Sequence, residues 1–126
     1  MPRFVIQKHA ARTLHYDFRL EKEGVFKSWV VPKGVPETVG VKRLAIQVDD
    51  HDLAFGEFEG VIPEGQYGAG KIEIWDCGTY RQREWTDNRI SVDLKGARVT
   101  GVFVLDRFPS RGDDCWLLYC EMNTTE

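Results

Sequence analysis

A chain of 126 residues, 42% hydrophobic and 29% charged, fits one soluble domain around one core. No apolar run approaches the roughly 20 residues that cross a bilayer, and the opening Met-Pro-Arg-Phe is no secretory leader, so a cytoplasmic setting without membrane contact is expected. The net charge of −3 argues against a generic electrostatic binder of nucleic acid, but residues 1–43 carry nine Lys or Arg against four Asp or Glu, whereas residues 44–126 carry eight against sixteen.

In chain order, Phe4 to Gln7 reads as a first short strand, and the best helical stretch, Ala10 to Leu14, is too short to stand alone. Thr13 to Glu21 alternates strictly, with Leu14, Tyr16, Phe18 and Leu20 on a packing face and His15, Asp17 and Arg19 on a polar one. Gly24 then marks a turn, and Val25 to Val31 forms a second strand that Pro32 stops, so the two make a hairpin. Arg43 to Val48 alternates again, with Leu44, Ile46 and Val48 expected inward.

Phe55 to Gly70 is a sixteen-residue loop with five glycines and one proline, longer than most connections in a compact domain and so a candidate for function. Its Gly65-Gln66-Tyr67-Gly68-Ala69-Gly70 lacks the spacing of a phosphate-binding P-loop and reads as a turn into the next strand. Lys71 to Trp75, Arg89 to Leu94, Arg98 to Leu105 and Cys115 to Glu121 complete about eight strands, and Asn123 to Glu126 read as a frayed tail. An all-β architecture follows, a closed or nearly closed barrel with its site on an exposed polar face. Trp29, Trp75, Trp116, Phe103 and Tyr119 are expected in its core. The three cysteines, Cys77, Cys115 and Cys120, have neither a C-x-x-C spacing nor an even number, so reduced structural thiols are expected.

The chemistry concentrates in the first 51 residues, which hold every histidine of the chain: His9, His15 and His51. Two imidazoles and a carboxylate such as Asp17 form a metal site with positions open for substrate, and this donor mixture suits Mn, Fe or Zn. Spacing leaves open whether His9 or His15 is a ligand, since His15-Tyr16-Asp17 with a distant His51 is also the H-x-D…H order of non-haem iron oxygenases. Arg19 favours phosphoester chemistry, because its planar guanidinium can grip a phosphate beside a Lewis acid.

Four stretches resemble one family in order and spacing: RFVIQKHAARTLHYDFRLE from Arg3, KSWVVPKG from Lys27, KRLAIQVDDH from Lys42 and FEGVIPEGQYGAGKIEIWDCGTY from Phe58. The sequence is similar to the 3′-phosphoesterase domain of bacterial DNA ligase D and its stand-alone relatives. That resemblance implies an eight-stranded barrel, Mn²⁺ dependence with Zn²⁺ or Co²⁺ able to occupy the site, and removal of 3′-phosphates and 3′-terminal ribonucleotides. The implied substrates are DNA or RNA-tipped DNA 3′ ends, and the implied partners a DNA ligase or polymerase of an end-joining pathway. It implies His9, Asp17 and His51 as metal ligands, with His15 and Arg19 on the scissile phosphate. Lys33 and Arg43 match basic positions that line or support the site, and Asp49 matches an acidic position behind a ligand. Where the family often has a tyrosine this chain has Phe55, and Tyr67 is the candidate substitute for that hydroxyl. Two rival readings are a noncatalytic DNA-end-binding barrel and an iron oxygenase.

Overall fold

The computed structural model describes residues 1–123. Nine antiparallel strands follow one another: β1 (Arg3–Ala10), β2 (Leu14–Lys22), β3 (Val25–Val31), β4 (Lys42–His51), β5 (Gly60–Ile62), β6 (Gly70–Trp85), β7 (Arg89–Gly96), β8 (Thr100–Arg107) and β9 (Cys115–Asn123). They pair in the order β1-β2-β3-β4-β9-β8-β7-β6, and β6 returns to β1 from Arg3↔Thr79 to Ala10↔Lys71, closing an eight-stranded barrel. The strand β5 lies outside this ring, on the first three residues of β6. Closure leaves no edge in the ring itself, the usual remedy for an antiparallel sheet of this size.

The barrel interior is filled by alternate residues of every wall strand, among them Phe4, Ile6, Phe18, Leu20, Trp29 and Phe103. Trp29 meets Trp116 edge to face, with centroids 6.0 Å apart. Trp75 and Tyr16 pack on the margin of this core, but Tyr119, expected within it, is only half-buried and donates its hydroxyl to Asp106 Oδ2 at 2.7 Å. Leu14, placed on the packing face by its alternation, is exposed because it sits beside the turn of the β1–β2 hairpin, at the end of the barrel.

The parity expected for β4 is reversed. Ala45 is fully buried in the barrel opposite Trp116, whereas Ile46 and Val48 pair with Val30 and Ser28 and face outward. Outward here is not toward water: the short 3₁₀ helix Leu53–Glu57 and the turns that follow cover this side of the barrel. Gln7 Nε2 donates to the carbonyls of Phe55 at 2.9 Å and Phe58 at 3.2 Å, tying the cover to β1. Gly56 lies so close to the Phe26 ring that a Cβ there would sit 2.4 Å from it. The expected long loop is therefore an ordered second layer containing the 3₁₀ helix and β5.

The strand β6 runs ten residues past its expected end at Trp75. Asp76 and Gly78 look like breakers, but each has a structural task. The buried Asp76 carboxylate accepts the backbone N–H groups of Ala97, Arg98 and Val99 at 2.9–3.0 Å, shaping the β7–β8 turn. At Gly78 the backbone of Lys95 comes so near that a Cβ would meet its carbonyl at 2.0 Å. Arg98 and Val99, expected in a strand, belong to the turn that Asp76 holds. Asn123 ends β9; the rest of the expected tail lies outside the described residues. Cys77 is exposed, Cys115 half-buried and Cys120 buried, and all three are free thiols.

Candidate functional site

The covered outer face of β1–β4 carries the polar residues that alternation sets opposite the core. Register brings them together: His9 pairs with His15, Gln7 with Asp17 and Arg19 with Ser28. Directly opposed residues in an antiparallel pair project from the same face, so two neighbouring rungs gather two imidazoles and a carboxylate. His9 Nδ1 lies 3.6 Å from Asp17 Oδ2 and His15 Nε2 lies 3.5 Å from Asp17 Oδ1, with the two rings 4.6 Å apart. One donor atom from each of the three residues falls within 4.8 Å of the others, a spacing that one metal ion could span.

The polar face does not meet bulk water as expected. Asp17 is 6% and Arg19 3% exposed, because the second layer closes over them. Arg19 compensates its burial with three partners: Nε donates to Gln7 Oε1 and Nη1 to Ser28 Oγ, both at 2.7 Å, and Nη2 stands 3.5 Å from Asp17 Oδ2. The Phe55 ring lies 5.0 Å from the guanidinium carbon and stacks on Phe58. With Nε and one Nη1 hydrogen committed, Nη2 carries most of the donors left for a ligand.

Loop carbonyls orient the imidazoles. His9 Nε2 is 3.0 Å from the Gly68 oxygen and 3.1 Å from that of Ala69, so it holds the proton and leaves Nδ1 free toward Asp17. His15 Nδ1 lies 3.2 Å from the Thr13 oxygen, which turns Nε2 inward. The loop reaches His9 because Gly70, at φ 124°, passes so near Ala10 that a Cβ would meet its carbonyl oxygen at 2.4 Å.

His51 stands on the far side of Arg19 from this trio. Its Nδ1 is 3.0 Å from the Asp49 carbonyl and 3.2 Å from Arg19 Nη1. It can donate to the first or accept from the second but not both, so the choice of tautomer decides whether Nε2 is a free donor atom. Burial and then the neighbouring Arg19 push its pKa below the usual histidine value, while the Asp17 hydrogen bond raises that of His15 against the opposing effect of burial. Burial also lowers the pKa of Arg19.

These residues line a cleft of about 990 Å³ that runs from the β1–β2 hairpin to the glycine-rich turns. Arg12, Glu64 and Tyr67 stand on its lips, and Val30, Val48 and Ile72 form part of its apolar floor. Lys33 and Arg43 are not among its walls: Lys33 is exposed, and Arg43 Nη1 donates to the Lys33 and Gly34 carbonyls, bracing the segment after β3. Asp49 is exposed and reaches His51 through its carbonyl, with its carboxylate acting on that imidazole electrostatically. The sequence reading missed Gln7, Ser28 and Arg12. The first two were signalled only by register, Gln7 sharing the parity of His9 and Ser28 lying opposite Arg19.

A family model described as the DNA Ligase D 3′-phosphoesterase domain matches residues 7–107. The chain is 48% identical over 120 residues to the multifunctional non-homologous end joining DNA repair protein LigD of Mycobacterium tuberculosis (strain ATCC 25618 / H37Rv), a match covering 92% of the chain and 15% of that protein. It is 46% identical over 122 residues to the multifunctional non-homologous end joining protein LigD of Pseudomonas aeruginosa, covering 92% of the chain and 14% of the relative. The LigD of Mycolicibacterium smegmatis is 46% identical over 114 residues, 82% of the chain. The chain thus spans about 15% of the length of these relatives.

Proposed function

The chain belongs to the DNA ligase D 3′-phosphoesterase family, and on that premise we propose that it is a metal-dependent phosphoesterase removing 3′-phosphates and 3′-terminal ribonucleotides from DNA ends. The observation that carries this reading is the meeting of His9, His15 and Asp17 beside a buried, fully oriented arginine in one cleft. A guanidinium locked by Gln7, Ser28 and Asp17 is suited to meet charge on phosphoryl oxygens without reorganising as the reaction proceeds.

The donor chemistry fits a divalent ion. His9 Nδ1 faces the Asp17 carboxylate, which His15 Nε2 and Arg19 Nη2 also approach to 3.5 Å, and we assign His51 as the third ligand, through Nε2. Mn²⁺ is the proposed ion, with Zn²⁺ or Co²⁺ suited to the same donors. When bound, it would supply Lewis-acid polarisation of the phosphate and lower the pKa of a coordinated water. In that state His51 must keep its proton on Nδ1, donated to Asp49, and so ceases to accept from Arg19 Nη1. His15, oriented by Thr13, presents Nε2 to the cleft, where its protonated form donates to a phosphoryl oxygen. A DNA ligase or polymerase is the proposed partner, in keeping with relatives named for non-homologous end joining.

The test is a duplex ending in a 3′-phosphate, incubated with chelator-stripped protein before and after manganese is restored. Phosphate release only with manganese is the expected result. Full turnover by verified metal-free protein contradicts the metal assignment, and binding without release in either case makes this an end-binding barrel rather than an enzyme.

A further inference from the structure

Tyr67 is 91% exposed on the lip of the cleft, an unusual position for so large a ring. Among the described residues its hydroxyl has no hydrogen-bond partner and its ring no aromatic or cationic one; it acts on Arg19 only electrostatically. The turn that presents it is nevertheless well defined. Gln66 N–H donates to Pro63 at 3.3 Å, Ala69 N–H donates to Gln66 at 3.1 Å, and the next carbonyls along orient His9. A segment that orients an imidazole assigned to the metal and also holds a bare aromatic ring at the cleft mouth has a use for that ring outside the folded core.

Arg12 occupies the β1–β2 hairpin on the same cleft, exposed and with no ion-pair partner among the described residues. Gly70 packs directly against Ala10 and Ala11, so the hairpin carrying Arg12 and the turn carrying Tyr67 are fastened together at their bases. The cleft mouth therefore offers one π surface and one cation without an ion-pair partner among the described residues, with the Glu64 carboxylate on the same lips, beside the residues assigned to the phosphate. Nucleic-acid strands are held by this combination: aromatic rings take the face of any base, and Arg takes the backbone.

Resting on the phosphoesterase reading, we propose that Tyr67 is a stacking platform for the terminal nucleobase of the strand whose 3′-phosphate enters the cleft, and that Arg12 contacts the adjoining backbone phosphate. The ring rather than the hydroxyl does this work, so Tyr67 selects nucleotide ends over small phosphomonoesters without reading sequence.

The test uses an oligonucleotide with 2-aminopurine as its last base and a 3′-phosphate, beside the same strand with an abasic terminal sugar, in manganese buffer. Wild type and Tyr67→Phe should quench the fluorophore. Tyr67→Ala should lose the quench and raise KM about tenfold with kcat unchanged. On the abasic strand all three should share one KM. Arg12→Ala should weaken binding of both strands and reduce the slope of log affinity against log salt by about one. Equal effects of Tyr67→Ala on both strands, or Tyr67→Phe behaving like Tyr67→Ala, would overturn the stacking role, as would phosphate release by wild type without quenching. An unchanged salt slope removes Arg12. Quenching without phosphate release leaves the platform standing while the phosphoesterase reading falls.

Discussion

The two sides of the barrel use the same strand alternation to different ends. On β1–β4 both faces are covered, so His9, Asp17, Arg19 and Ser28 are buried polar groups packed beneath the 3₁₀ helix and the glycine-rich turns. On β7–β9 the outer face buries Ser91, Val102 and Val104 close to the wall, but its charged side chains reach water: Arg89 is ringed by Asp106 at 2.9 Å, Glu84 at 3.3 Å and Glu121 at 3.6 Å, all partly exposed. The polar groups of the first side must satisfy one another, whereas those of the second can turn to water. Charged clusters that look alike as contact lists should thus respond very differently to substitution.

Arg19→Lys is expected to give the largest effect. An ammonium cannot serve Gln7, Ser28 and Asp17 in one plane and still face a phosphate, so single-turnover cleavage should fall on the order of 10² or more. Near-normal turnover would remove Arg19 from the site's chemistry.

Tyr80→Phe probes the seam between the sides, where the tyrosine hydroxyl donates to the Glu21 carbonyl. Its loss should cost about 1 kcal/mol. Burial pushes the Tyr80 pKa up to about 12, so the unfolded chain ionises first, from about pH 10. Stability from this group is complete below that pH and is lost as pH rises toward 12. Chemical denaturation across that range should show a weaker alkaline decline in the variant; identical slopes would contradict the burial of this hydroxyl.

Arg89→Gln on the β7–β9 wall should change stability by less than about 1 kcal/mol despite its three acidic neighbours, since screened surface pairs contribute little. A loss comparable to that of a buried pair would erase the contrast between the two sides. The smallest change is expected from Phe55→Tyr, which should leave turnover unchanged or raise it, because the added hydroxyl keeps the ring over Arg19 and on Phe58. A folded variant without activity would show that Phe55 does not occupy the family's tyrosine position.

The same contrast explains what could be read from the sequence. The starts of β7 and β9 lie where β-branched and aromatic runs set them, and Val25–Val31, although covered on both faces, is bounded by Gly24 and Pro32. A strand buried on both faces does not say which face is the core, and β4 was assigned by its larger side chains when Ala45, facing Trp116, is the residue that fits the barrel. The second half of β6 was hidden because Asp76 and Gly78 serve partners some twenty residues away, which no local pattern encodes. His15, Asp17 and Arg19 were legible because the alternation of one strand places them on one face, whereas His9 lies outside that run and was assigned only through the family resemblance. Gln7 and Ser28 needed the register, and the bracing position of Arg43 needed the path of the chain after β3.

The account stands or falls on the division of labour among the histidines of the buried side. Manganese content, measured by calorimetry on His9→Ala, His15→Ala and His51→Ala beside single-turnover cleavage of a 3′-phosphate end, tests it directly. The account predicts that His9→Ala and His51→Ala lose both metal and activity, and that His15→Ala keeps the metal while losing cleavage. Loss of metal from His15→Ala with retention in His9→Ala would contradict it and make His15, Asp17 and His51 the ligand set.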